Sequence, residues 1–207
     1  ISNAIQKSVG ADFTLEYPIR GDYRSAIIQH DLNNDGIFEA VAFYRTKRKS
    51  PDDKHEIEMM NIITIINRDG EWVSGGTQSL AAGGIDQVDF CDFDNDGIKE
   101  IMVGWAIYGT SELQLSIYSL GENTLTQRMA EQYTHFVPCD LDANDKYEVL
   151  ILRSSPSEQI NTAHLFSLTQ VGVSQISSCK LDGSAKTINK PFVSTLSSGA
   201  PAVYIDE

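Results

Sequence analysis

The residues best suited to chemistry lie in three nine-residue stretches in which side-chain oxygens recur at every second position. The first offers Asp31, Asn33, Asp35, the Ile37 carbonyl and Glu39. The second offers Asp92, Asp94, Asp96, the Ile98 carbonyl and Glu100, and the third Asp140, Asp142, Asn144, the Lys146 carbonyl and Glu148. Oxygens at positions 1, 3 and 5, a carbonyl at 7 and an acid at 9 suit Ca²⁺, a hard cation that takes about six to eight oxygen ligands in flexible geometry. Glycine at position 6 (Gly36, Gly97) permits the sharp turn that aims alternate residues at one centre. In the third stretch Asp145 replaces that glycine and position 5 is neutral. This loop is expected to bind most weakly, or to hold a lysine ammonium or a water in the cation's place.

An EF-hand is the obvious competitor, and the pattern argues against it. That motif needs a bidentate acid at position 12 and flanking helices. Position 12 here is Ala42, Val103 or Ile151, inside apolar runs. The acid at position 9 must therefore close the site at the start of a strand. Asp, Asn and Gly also form plain turns without any ion. Three copies with an acid at the same offset are harder to explain that way, because clustered carboxylates repel one another.

Stepping outward from the loops, each is followed by a continuous apolar run: Ala40–Tyr44, Ile101–Val103 and Val149–Leu152. Such runs, rich in β-branched and aromatic types, fit strands buried on both faces. Each loop is preceded by a shorter segment of the same kind, and two further strand candidates follow it. In the first copy these are Asn61–Asn67 and Glu71–Val73, around an Arg68-Asp69-Gly70 turn. In the second they are Leu113–Leu120 and Leu125–Arg128, and in the third Ala163–Leu168 and Val173–Ser177.

The loops start 61 and 48 residues apart, and the longer first interval is assigned to a polar hairpin loop at Arg45–Glu58. A degenerate fourth copy begins near Phe192 and lacks the acids. Four short strands in a period of roughly 50 residues mark the blades of a β-propeller. The predicted fold is thus all-β: a partial or fragmentary propeller of about three to four four-stranded blades with calcium loops between strands. Residues 1–21 form an N-terminal segment, in which only Asn3–Val9 suits a short helix. The blades fall at about 22–82, 83–131 and 132–182, with a partial one at 183–207.

The net charge of −13 over 207 residues argues against nucleic acid as a partner, since phosphate binding needs a basic surface. Three bound Ca²⁺ would bring that charge to −7. No apolar run reaches the length of a membrane span. Cys91, Cys139 and Cys179 are too few and too scattered for a disulfide framework. Cys91 and Cys139, each just before an acidic loop, read as small buried residues.

The motif Asp-x-(Asp/Asn)-x-Asp-Gly-x-x-Glu between two apolar strands resembles the FG-GAP and VCBS-type propeller repeats of integrin α-subunits and of bacterial surface proteins and lipoproteins. It is clear at Asp31–Glu39 and Asp92–Glu100 and partial at Asp140–Glu148. The resemblance implies a bladed propeller with structural Ca²⁺ at an extracellular or cell-surface location. Propellers usually have at least about four blades, so either blades lie outside this chain or two copies combine as a homo-oligomer.

Two functions compete. The first is a non-catalytic module that binds a protein or glycan; Trp105 and Tyr108 could stack on a sugar, though core packing is the first expectation for such aromatics. The second is a polysaccharide lyase or hydrolase, since some propellers of this type carry such activity. There is no Gly-x-Ser-x-Gly and no His-Glu-x-x-His, and His30, His55, His135 and His164 are scattered. No catalytic residue is assigned.

Overall fold

The computed structural model describes residues 1–49, 56–155, 160–181 and 190–205. These residues are mostly β, with one helix, α1 (Ser2–Val9), near the N-terminus. The helix stops at Gly10, whose φ of 86° ends the run while its N–H still donates to the Gln6 carbonyl at 3.0 Å. Among the described residues, fifteen strands follow in chain order.

Three antiparallel sheets share one meander. In the first, β2 (Ile27–His30), β3 (Glu39–Lys49), β4 (Glu56–Arg68) and β5 (Glu71–Leu80) pair in sequence. The second is β6 (Ala82–Cys91), β7 (Glu100–Ile107), β8 (Leu113–Leu120) and β9 (Leu125–Tyr133). The third is β10 (His135–Cys139), β11 (Glu148–Ser155), β12 (Ile160–Thr169) and β13 (Gly172–Leu181). A hairpin of β14 (Phe192–Thr195) and β15 (Pro201–Tyr204) stands where the degenerate copy was expected. In each sheet an acidic loop joins the first strand to the second, and its position-9 glutamate is the second strand's first residue.

Two features of the first sheet were not foreseen. A short strand, β1 (Thr14–Glu16), pairs with β3 beyond the end of β2, so β1 and β2 lie end to end along one edge of β3. The polar stretch assigned to a loop is mostly ladder: β3 and β4 remain paired out to Lys49 and Glu56. Arg45 bridges Glu58 at 2.9 Å and Glu16 at 2.8 Å, and Lys47 bridges Glu56 at 3.5 Å. Opposite charges on neighbouring strands hold the pairing where no apolar alternation announces it. Residues 50–55 of that stretch, with His55, lie outside the described residues, as do Asp206 and Glu207.

Contacts divide the chain into two compact units, Ile1–Phe90 with Gly97–Ala130, and Cys91–Asp96 with Glu131–Glu207. In the first unit, Val41, Phe43, Met60 and Ile62 of the first sheet pack on Ile85, Ile101, Val103, Trp105 and Tyr118 of the second. Gly76 on β5 has φ 145°, and a Cβ there would collide with the backbone nitrogen of Leu125. The two sheets can approach this closely because that position has no side chain. In the second unit, Cys139, Leu150, Leu152 and Ala163 form a core on which Val203 and Ile205, at the end of the β14–β15 hairpin, pack.

The apolar runs after the loops are buried on both faces, as their composition predicts. Ala40–Phe43, Ile101–Val103, Val149, Ile151 and Leu152 have no measurable exposure. Trp105 is likewise core, 1% exposed and edge-on to Phe43 at 6.0 Å, which removes it as a sugar platform. Tyr108 is 65% exposed.

Candidate metal centres

Each loop is anchored at two points. The residue at position 2 is a plug: Leu32 and Phe93 are buried and Leu141 is half-buried. The glutamate at position 9 is also buried, with Glu39, Glu100 and Glu148 only 3%, 2% and 6% exposed. The two anchors meet, because Glu39 Oε2 accepts the Leu32 N–H at 2.8 Å and Glu148 Oε2 accepts the Leu141 N–H at 3.4 Å. In the second loop Glu100 accepts the Ser119 hydroxyl at 2.9 Å.

Between the anchors the chain turns on backbone-to-side-chain hydrogen bonds. Asp31 accepts the N–H groups of Asp35 and Gly36, and Asp140 those of Asn144 and Asp145, all at 3.0–3.2 Å. The position-5 side chain accepts the N–H at position 7, from Ile37 to Asp35 and from Lys146 to Asn144. These bonds fold the loop tightly enough to bring its carboxylates together.

The turn also needs left-handed backbone at positions 4 and 6. Asn34, Asn95 and Ala143 take φ of 56–57° at position 4, and Gly36, Gly97 and Asp145 take φ of 84°, 88° and 61° at position 6. The third loop therefore adopts the same path without its glycine, with Asp145 tolerating the left-handed backbone and Ala143 carrying the strain that Asn avoids in the other two loops.

Two loops gather carboxylates into a set that can hold a metal ion. One ligand oxygen each from Asp92, Asp94 and Glu100 lie within 4.8 Å of one another, and so do those from Asp140, Asp142 and Glu148. The converging positions are 1, 3 and 9, and Asp96 lies outside its loop's set. The first loop forms no such three-carboxylate set, because position 3 is the amide of Asn33, which donates to Asp35 at 3.0 Å. Ile37 and Lys146 are exposed and Ile98 half-buried at position 7.

The electrostatics of these loops favour a cation or a proton among the acids. Two full charges ~5 Å apart repel by about 3 kcal/mol at an effective dielectric of ~20. Burial pushes the carboxyls of Glu39 and Glu148 above the usual range, and the neighbouring Asp35 and Asp31, or Asp142 and Asp140, push the same way. Backbone N–H donors at Leu32 and Leu141 oppose the shift without reversing it. A divalent cation among these oxygens would remove both penalties. The donor set contains only hard oxygens, so it suits an alkaline-earth ion over a soft metal.

Sequence reasoning missed how successive loops are tied. Asn34 donates to the Gly97 carbonyl and Asn95 to the Asp145 carbonyl, each at 3.3 Å, so position 4 of one loop grips position 6 of the next. Lys99 N–H donates to the Leu32 carbonyl at 2.7 Å, and its ammonium reaches the Asp31 carbonyl and His30 Nε2, both at 3.2 Å. His30 stacks on Phe90 at 4.3 Å. Burial and Lys99 hold its imidazole below the usual pKa. The recurrence of Asn at position 4 in the first two loops was the available signal. His135 pairs along β10 with Leu152, and His164 touches Thr162 Oγ1 at 2.9 Å, so the described histidines do not converge.

A crevice of about 300 Å³ borders the first loop, lined by Asn33, Glu39, Ile66, Arg68, Ile98 and Leu120. Comparison with protein-family models finds none that matches the chain, and comparison with curated proteins finds no match. Among the described residues no helix is long and apolar enough to cross a membrane.

Proposed function

We propose that this chain is a calcium-stabilised β-propeller module of FG-GAP/VCBS type, working outside the cell as a binding or scaffolding unit for a protein or glycan. The observation that carries the calcium reading is the repeated convergence of carboxylates at positions 1, 3 and 9, with the position-9 acid buried at the head of a strand. Asp92, Asp94 and Glu100, and Asp140, Asp142 and Glu148, would hold the ions. The first loop would contribute Asp31, Asn33 and Glu39. The ion's role is structural: it neutralises the loop and ties the turn to the strand that follows. Three successive four-stranded meanders, each with such a loop after its first strand, support blades as the architecture.

Calorimetric titration with Ca²⁺ tests the metal reading, alongside thermal unfolding in EDTA and in millimolar CaCl₂. Saturable binding at two or more sites is expected. A calcium concentration 100-fold above Kd stabilises by about 2.7 kcal/mol per site, several degrees in Tm for a chain of this size. No heat of binding and identical melting in EDTA and calcium would overturn it. A glycan-array and polysaccharide-cleavage screen tests the rest: binding without products fits a module, and turnover replaces it with a lyase or hydrolase.

A further inference from the structure

The first sheet has two apolar faces, and among the described residues only one meets another sheet. Along β3, Val41 and Phe43 enter the core shared with the second sheet, while Ala40, Ala42 and Tyr44 enter a separate core on the opposite face. Strand β4 alternates in the same way, with Met60 and Ile62 on one face and Ile63 and Ile65 on the other. The occupant of that other face is α1. Ile5, 1% exposed, and Ala4 sit against Ala40, Ala42, Tyr44, Ile63 and Ile65, and Ile1, Val9 and Phe13 pack at the margin. Phe13 meets Tyr44 edge-on at 5.8 Å. Ser2, Asn3, Gln6 and Lys7 face solvent, so the helix turns an apolar sheet face into a polar surface.

We infer that α1 is a cover: it occupies the outer apolar face of the first sheet and keeps this face from pairing with the same face on a second copy of the chain. A contiguous apolar face left open to water invites association. The sheet's opposite face already accepts a four-stranded sheet through side chains of the same type, so a sheet fits this one too. With α1 in place this face is closed to a second copy. Eight helical residues are marginal by themselves in water, so α1 draws on this packing and can be displaced by breaking it. The inference does not depend on calcium.

The test replaces Ile5 in the full chain, as Ile5→Asp, and compares it with the parent by sedimentation velocity and hydrogen exchange. A charge in the cover's centre is expected to release α1. Its amides then lose protection while those of β3 keep theirs, and the variant gains a concentration-dependent dimer that the parent lacks. Excess peptide of residues 1–12 added in trans should return the variant to the parent's sedimentation coefficient. The inference fails if the variant releases α1 yet sediments like the parent, or if the peptide does not reverse the association, which would mark general misfolding. Should Ile5→Asp not fold, Ile5→Ala takes its place with the same readouts and a smaller dimer fraction.

Discussion

The side-chain amide of Asn34 donates to the carbonyl of Gly97 at 3.3 Å, joining two acidic loops 63 residues apart in the chain. Asn95 repeats the bond to Asp145 with the same length. Asparagine at the same loop position thus makes the same bond in both pairs of successive loops. Asn is suited to it twice over, since it tolerates the left-handed backbone and brings a donor.

Replacing Asn34 or Asn95 with Ala should remove one neutral hydrogen bond and place Ala in a left-handed conformation. Each substitution is expected to cost about 1 kcal/mol, or roughly 2–4 °C in Tm. Thermal unfolding in saturating calcium checks this. A loss confined to metal-free protein would mean that the bond acts through the loops' charge and not through their contact.

The third loop invites the opposite experiment. Asp145→Gly puts the residue best suited to left-handed backbone at φ 61° and removes one negative charge from the loop in which Asp140, Asp142 and Glu148 converge. It should raise metal-free stability by about 0.5–1 kcal/mol. Ala143→Asn should act in the same direction for the backbone reason alone. Unchanged or lower melting in both variants would show that the third loop does not follow the path of the others.

Metal-free protein should respond to pH in an unusual sense. Glu39 and Glu148 have folded-state pKa values raised by burial and by nearby carboxylates. Their contribution to stability is therefore full below the ordinary Glu value and is lost as pH rises through the raised folded value. Lowering the pH from neutral toward the ordinary Glu value should stabilise the EDTA-treated chain through these two groups. With calcium bound the slope should reverse, because protons compete with the ion for the same oxygens. Glu148→Gln in EDTA should flatten its share of the slope; an unaltered slope would remove Glu148 as a contributor.

Thiol chemistry should sort the three cysteines. Cys179 is exposed, and Cys91 and Cys139 are buried. Burial, with Glu148 and Asp140 nearby, pushes the Cys139 thiol up to about 12. Thiolate is the reactive form. Native protein at pH 8 is expected to label rapidly at Cys179 alone, with the other two reacting only on unfolding. Peptide mapping after a short pulse of iodoacetamide reads this, and early label on Cys139 would contradict the packing around β10 and β11.

The chain's own pattern determined a good deal. The doubly buried strands Ala40–Phe43 and Val149–Leu152 were legible because continuous β-branched and aliphatic runs have no polar face to show to water. The Asp69-Gly70 turn was legible because both residues tolerate the positive φ they adopt, 50° and 87°. The loops were legible from oxygen ligands at fixed spacing, a local property of nine residues. Only the tertiary structure decided which oxygens meet. Positions 1, 3 and 9 converge in the second and third loops because the position-9 acid is drawn inward at the head of a buried strand, and burial depends on residues far away in sequence. It also decided that Arg45–Lys49 is ladder and not loop, through cross-strand charges that no periodicity reveals. And it gave α1 its place, because a short amphipathic helix specifies an apolar partner without specifying which of a sheet's two faces that partner will be.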